Sequence, residues 1–308
     1  MNELILWSYD ASPFTQKAVG LLALKGVEWS WVETPMLPPK TDLMELTGGY
    51  RGTPVLQIGA DIFIDSQLIA RELENRYPSP SLFPQGRGQE LAMVKWSDAF
   101  FRSALRIALA LMLPQWPTAF RDDRQYLFPD IDFDTVGEEL DHARSQFRAH
   151  ASLLEQQLVD GRQFLGGDRP GLSDIQAYPF LWMARGGFAD VASSLLRGFP
   201  ALVDWEQRVR AAYVDRRQPV SAADALVVAA RAETRTPEQV DPNDAQSLTA
   251  GDWVEVAPDD TRRGGVRGRV RMCNADVIAI ARDSALGHTV VHFPRLGYRV
   301  RSVVRVNE

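Results

Sequence analysis

The spacing of apolar residues changes repeatedly over the first 84 positions. Leu4 to Trp7 is a short unbroken apolar run, which predicts a buried strand. After the turn-like Tyr9-Asp10-Ala11-Ser12, Pro13 suits the first turn of a helix. Ala18, Val19, Leu22 and Ala23 share one face of that helix, and Gly26 stops it. Val27 to Glu33 alternates as a second strand, and Thr34 to Lys40 is a Pro-rich loop. Thr53 to Ile58 and Asp61 to Ile64 read as two strands joined by Gly59-Ala60. Asp65-Ser66 caps a further helix with Leu68, Ile69, Leu73 and Tyr77 inward, ended by Pro78 and Pro80. The order β-α-β-loop-β-β-α predicts an α/β layered domain over residues 1–84.

From Gly88 to Arg217 the strand signal disappears. Glu90 to Met112 is one long helical stretch, and Phe147, Ala151, Leu154 and Leu158 recur at helical spacing, as do Ile175, Pro179 with Phe180, and Met183. Residues 88–233 therefore read as an all-α bundle. Between its halves Pro114 to Asp134 carries Trp116, Phe120, Tyr126, Phe128 and Phe133, either a lid or a packed excursion. Residues 234–247 are acidic, with Pro237 and Pro242, and read as a linker. In 248–308 the alternating segments Trp253–Val256, Val266–Val270, Val277–Ile280, Thr289–Phe293 and Tyr298–Val304 predict a separate small β-barrel, SH3-like in strand length.

Composition narrows the function classes. The 308 residues are 45% hydrophobic and 24% charged, enough for real cores. A net charge of −6 speaks against nucleic acid or an anionic membrane as partner. The single Cys273 excludes an intrachain disulfide, a paired-cysteine redox centre and a Cys-rich zinc site. Glu3 directly before the Leu4–Trp7 strand argues against a secretory leader, and the apolar runs are too short to span a bilayer, so the expected setting is soluble and cytoplasmic. His288 and His292 share a strand face with nothing nearby to complete a metal set, and no metal is expected. Gly264-Gly265-Val266-Arg267-Gly268-Arg269 reads as a solvated hairpin, not a nucleic-acid contact, because acids are interspersed among the arginines of this region.

Three stretches carry chemistry: Ser12-Pro13-Phe14-Thr15-Gln16-Lys17, Thr53-Pro54-Val55-Leu56 and Asp65-Ser66. Together, at these spacings, they resemble the glutathione S-transferase superfamily, with a serine-type Ser-Pro-Phe motif and a tau- or omega-like first domain. Leu172-Ser173-Asp174-Ile175-Gln176-Ala177 resembles the start of that family's central helix, with Gly171 where a Ser or Thr cap is usual. The resemblance implies a thioredoxin-like glutathione-binding domain, an all-α second domain and a homodimer packed through the helix from Ser66 and the long helix from Glu90. The β-rich tail lies outside the resemblance, although His292-Phe293-Pro294-Arg295-Leu296-Gly297-Tyr298 is similar to tails of some fungal and bacterial transferase-like proteins.

The implied chemistry holds glutathione and stabilises its thiolate. Ser12, at a helix N-terminus with unpaired N–H groups, is the expected hydrogen-bond donor, and Tyr9 is the competing hydroxyl. Phe14, Lys40, Arg51, Thr53, a cis Pro54, Asp65 and Ser66 are the expected glutathione contacts: Lys40 for the glycyl carboxylate, the Thr53 backbone for the cysteinyl segment, and Asp65 with Ser66 for the γ-glutamyl ammonium and carboxylate. Gly52 stands where many relatives carry a basic residue, with Arg51 adjacent. Trp96, Phe100 and Phe101, with Arg102 as an anion anchor, are the expected contacts of a small hydrophobic electrophile. The alternatives left open are a glutathione-dependent disulfide or peroxide reductase, and a non-catalytic binding protein acting through the barrel.

Overall fold

The computed structural model describes residues 3–303, so Val304, the end of the last expected strand, lies outside the described residues. The chain runs β1 (Ile5–Ser8), α1 (Pro13–Lys25), β2 (Trp29–Glu33), α2 (Thr41–Thr47), β3 (Val55–Ile58), β4 (Asp61–Ile64) and α3 (Ser66–Arg76). Helices follow: α4 (Arg87–Met112), α5 (Thr118–Leu127), α6 (Leu140–Leu158), α7 (Leu172–Gly187), α8 (Ala189–Leu195) and α9 (Pro200–Ala212). Then come β5 (Arg217–Pro219), α10 (Ala222–Arg231), β6 (Gln239–Val240), β7 (Trp253–Pro258), β8 (Val266–Cys273), β9 (Val277–Ser284), β10 (Gly287–Pro294) and β11 (Tyr298–Ser302). This is a thioredoxin-like α/β domain and a helical domain, with an additional β-rich region at the C-terminal end.

The first domain contains one helix that the hydrophobic pattern did not signal. Thr41–Thr47 is a helix of seven residues after the Pro-rich loop. It buries only Leu43, Leu46 and Thr47 and ends at Gly48, whose φ of 81° suits glycine. Seven residues are too few for a helical period to stand out. The Trp116–Phe133 segment likewise contains α5, with Phe128, Ile131 and Phe133 buried beside it.

The chain divides into two compact units, one of residues 1–15, 28–71 and 216–308, the other of 16–27 and 72–215. In the first, β1 pairs parallel with β2 and antiparallel with β3, which pairs antiparallel with β4. Both outer strands of this four-stranded sheet then gain late-chain partners: β5 lies parallel to β2, and β10 lies parallel to β4 with Val290 opposite Asp61 and His292 opposite Phe63. Edge strands present unpaired N–H and C=O groups, and these pairings satisfy them. Beyond β10, the strands β9, β8, β7 and β11 continue as an antiparallel meander, with β6 beside β8.

The five tail strands, in the order β11-β7-β8-β9-β10, form the expected β-rich region and join the first sheet through β10. Ile5, Trp7, Val55 and Ile62 share one core with Val254, Val270, Ile280 and Phe293. Alternating strands carry no label saying which sheet they join, so composition alone separated them. Helix α10, which the helical pattern assigned to the bundle, also packs here. Ala225 and Ala229 are buried, and the Gln57 amide donates to the Ala225 carbonyl (2.7 Å) while accepting from the Trp7 indole (2.8 Å).

The stretch read as a linker is held by a buried polar knot. Asp61 accepts from the hydroxyls of Thr234 (2.5 Å) and Thr236 (2.7 Å) and the Arg235 amide (2.8 Å). His292 joins it, 2.9 Å from the Thr236 hydroxyl and 3.3 Å from Asp61, with its ring stacked on Phe63. His288 instead faces Asp283 at 2.9 Å.

In the second unit α4 packs against α6 and α7, and Asp174 organises the start of α7. Its carboxylate accepts from the amides of Gly171 and Leu165 (2.9 Å each) and the Trp205 indole (2.6 Å). Burial outweighs these donors and pushes its carboxyl up to about 6. Lys17, also buried, donates to Ser97 (3.0 Å).

Burial opposes the charge of Asp61, but its bonds to His292, Thr234, Arg235 and Thr236 outweigh that and lower it from 3.8 to about 2. The folded state therefore gains about 2 kcal/mol from the ionised group above pH ~4 and loses it as the pH falls toward about 2. Asp61→Asn is expected to lower unfolding free energy by about that amount at neutral pH and to flatten its dependence across this acid window, measured by urea denaturation at a series of pH values.

Candidate glutathione site

Ser12 sits immediately before α1 and caps it. Its Oγ accepts from the Thr15 amide at 3.3 Å, and the residue is 5% exposed. The cap occupies an oxygen lone pair and leaves the hydroxyl proton to donate. Ser8 and Thr15, both fully buried, bond each other through their hydroxyls. Tyr9 is half-buried, and its ring receives the Lys40 ammonium 5.1 Å from its centroid, which brings two of the expected residues together.

The Thr53-Pro54 bond is cis, as the resemblance implied. Next to it Arg51 is half-buried and donates its amide to the Arg263 carbonyl at 2.9 Å. Asp65 adopts φ 79°, one carboxylate oxygen accepting from the Gln67 amide at 3.0 Å at the start of α3. Ser66 is 4% exposed. Phe14 lies under the Arg263 guanidinium, 5.6 Å from ring centroid to its carbon.

Three residues of this neighbourhood, Tyr50, Tyr298 and Arg263, escaped the sequence reading. Tyr50 and Tyr298 face each other through their hydroxyls at 3.4 Å, Tyr298 donates to Asp65 at 3.2 Å, and the Gln67 side-chain Nε2 donates to the Leu296 carbonyl at 3.1 Å. Arg263 completes the group. Burial opposes its charge, and the nearby carboxylates of Asp260 and Asp65 favour it. Burial raises the Tyr50 hydroxyl, and burial pushes Tyr298 well above the usual phenol range, so both stay neutral donors at pH 7. No local signal marks these residues, because an Arg in a Gly-rich turn reads as solvated.

The expected electrophile residues belong to the second unit. Phe100 is fully buried in a ring cluster with Phe147 (5.0 Å), His150 (5.3 Å) and Phe180 (5.5 Å). Phe101, 8% exposed, contacts Phe128 and Phe180. Trp96 is half-buried beside Phe100 and His150, and Arg102 pairs with Asp130. Two of the four are core residues of the bundle, the outcome that aromatic residues at helical spacing most often have. Among the described residues no cluster of His, Cys, Asp or Glu could hold a metal, and no helix is long and apolar enough to cross a membrane.

Comparison with known proteins agrees with this architecture. Residues 6–81 match the family model of the glutathione S-transferase N-terminal domain, and residues 137–208 that of the C-terminal domain. The crystal structure of a GST-like protein from Pseudomonas syringae is 32% identical, with a TM-score of 0.77, and the match covers 98% of this chain and 100% of that one. It therefore extends through the β-rich region. A probable glutathione S-transferase from Nicotiana tabacum is 24% identical over 177 residues, 58% of this chain and 69% of the relative. The tau-class transferase of mango, Mangifera indica, shares the fold at 18% identity and a TM-score of 0.53, covering 70% of this chain and 94% of that one. The chain belongs to the glutathione S-transferase family.

The loop bearing Arg263 approaches the site through Gly264, whose φ is 93° and whose Cβ, if present, would stand 2.6 Å from the Gly49 carbonyl oxygen. Gly264→Ala is expected to cost about 1–3 kcal/mol, read as a lower midpoint in chemical denaturation.

Proposed function

We propose that the protein is a transferase that binds glutathione, stabilises its thiolate through Ser12 and conjugates it to a small hydrophobic electrophile. The observation that carries this reading is the Ser12 hydroxyl at the start of α1. It accepts the Thr15 amide and keeps its proton for a ligand, where the helix dipole favours negative charge. A donor aimed at a thiolate lowers the thiol pKa from its free value of about 8.5 and increases the reactive fraction at neutral pH.

In this reading Asp65 and Ser66 take the γ-glutamyl end, the Thr53 backbone the cysteinyl segment, and Lys40 with Arg51 the glycyl carboxylate. Trp96 and Arg102 remain the electrophile-side residues. The protein acts in the cytoplasm as a homodimer.

Titration of thiolate absorbance in the glutathione complex tests the proposal. The bound thiol is expected to ionise well below its free value. Ser12→Ala should raise that pKa by about one unit and lower kcat/KM with a model electrophile about 10- to 100-fold. An unchanged pKa and rate in Ser12→Ala, with both lost in Tyr9→Phe, would transfer the role to Tyr9.

A further inference from the structure

Two loops of the β-rich region meet the turn that opens α3. The β7–β8 loop brings Arg263, and the β10–β11 corner brings Leu296 with Tyr298 behind it. The Arg263 backbone is fixed by the Arg51 amide, and its side chain lies over Phe14 and hydrogen-bonds the Tyr50 hydroxyl. Asp65 and Asp260 act on the guanidinium through space, and among the described residues no carboxylate makes an ion pair with it. Asp65 meanwhile has one oxygen on the Gln67 amide and the other on the Tyr298 hydroxyl. One corner of the first unit therefore presents a guanidinium without a direct counterion, a carboxylate held by neutral donors, and an aromatic face.

A guanidinium beside a carboxylate is a receptor for a zwitterion. Arg binds carboxylate through two parallel N–H donors, and a fixed Asp attracts an ammonium. The γ-glutamyl end of glutathione carries both groups on one carbon. We infer that Arg263, supplied by the β-rich region, is the anchor of the γ-glutamyl α-carboxylate, and that Tyr298 is a positioning residue that holds Asp65 toward the ammonium. The inference rests on the glutathione-binding reading above, and it gives the β-rich region a part in that site. Phe14 supports the flat face of the guanidinium, as aromatic rings do for arginine.

Calorimetric titration of the full chain with two ligands tests this: glutathione, and an analogue whose γ-glutamyl α-carboxylate is a neutral amide. The wild-type protein is expected to bind the amide about 10- to 100-fold more weakly than glutathione, the range of a charge-assisted pair. Arg263→Ala should weaken glutathione by a similar factor and bind both ligands alike, and Arg263→Lys should restore part of the difference. Equal weakening of both ligands by Arg263→Ala would reduce Arg263 to a structural role and overturn the inference. Tighter glutathione binding in that variant would also overturn it, since the guanidinium would then be a plug in the site. Wild type that binds both ligands equally well overturns this inference alone. Wild type that binds neither overturns the glutathione-binding reading with it.

Discussion

The parallel pairing of β10 with β4 is the constraint on which the architecture of the first unit depends. In a four-stranded thioredoxin-like sheet β4 would be an edge, with a row of N–H and C=O groups open to solvent or to another chain. Here Val290, Val291 and His292 take that edge, and the Val290 amide donates to the Ala60 carbonyl at 2.9 Å. Once β10 is in place the antiparallel meander has only one direction to grow. Its apolar side then joins the core already built on Ile5, Trp7 and Ile62. The Asp61 knot reinforces the same seam, because a buried carboxylate must be met by donors, and those donors come from 234–236 and β10.

That seam explains how a tail without catalytic motifs comes to stand beside the candidate site. With β10 beside β4, the β7–β8 loop meets the Tyr50–Arg51 loop and the β10–β11 corner meets the Asp65 turn. Gly264 permits the final approach, since any side chain there would strike the Gly49 carbonyl. Arg263, from the β7–β8 loop, and Tyr298, at the start of β11, then reach the same corner. The candidate site thus gathers segments that are distant in sequence and belong to one continuous sheet and its loops.

The readable parts of the sequence were those governed by local rules. Ser12-Pro13 announced a cap and a helix start, Gly26 a stop, and Asp65-Ser66 a helix opening, because capping satisfies backbone groups within one turn. Asp174 at the entry of its helix followed only from the family resemblance. The short α2 escaped because seven residues carry too little periodicity. Phe100 and Phe101 could not be separated from site residues, since an aromatic stripe looks the same whether it meets a ligand or Phe147 and Phe180. The acidic stretch at 234–247 looked like a linker because polar residues normally seek water, and only a buried carboxylate gives them another partner.

By itself the sequence determined the thioredoxin-like order of elements, the helical middle, the β character of the tail, and the three motifs that place the chain near glutathione transferases. The elements follow from interactions between residues a few positions apart, and the motifs from their resemblance to that family. Only the tertiary structure decided which sheet the tail strands join, that α10 belongs with the first unit, and that Arg263, Tyr50 and Tyr298 gather around Asp65. Those outcomes depend on edge satisfaction and burial between segments separated by some two hundred residues, and no local periodicity encodes which two edges will meet.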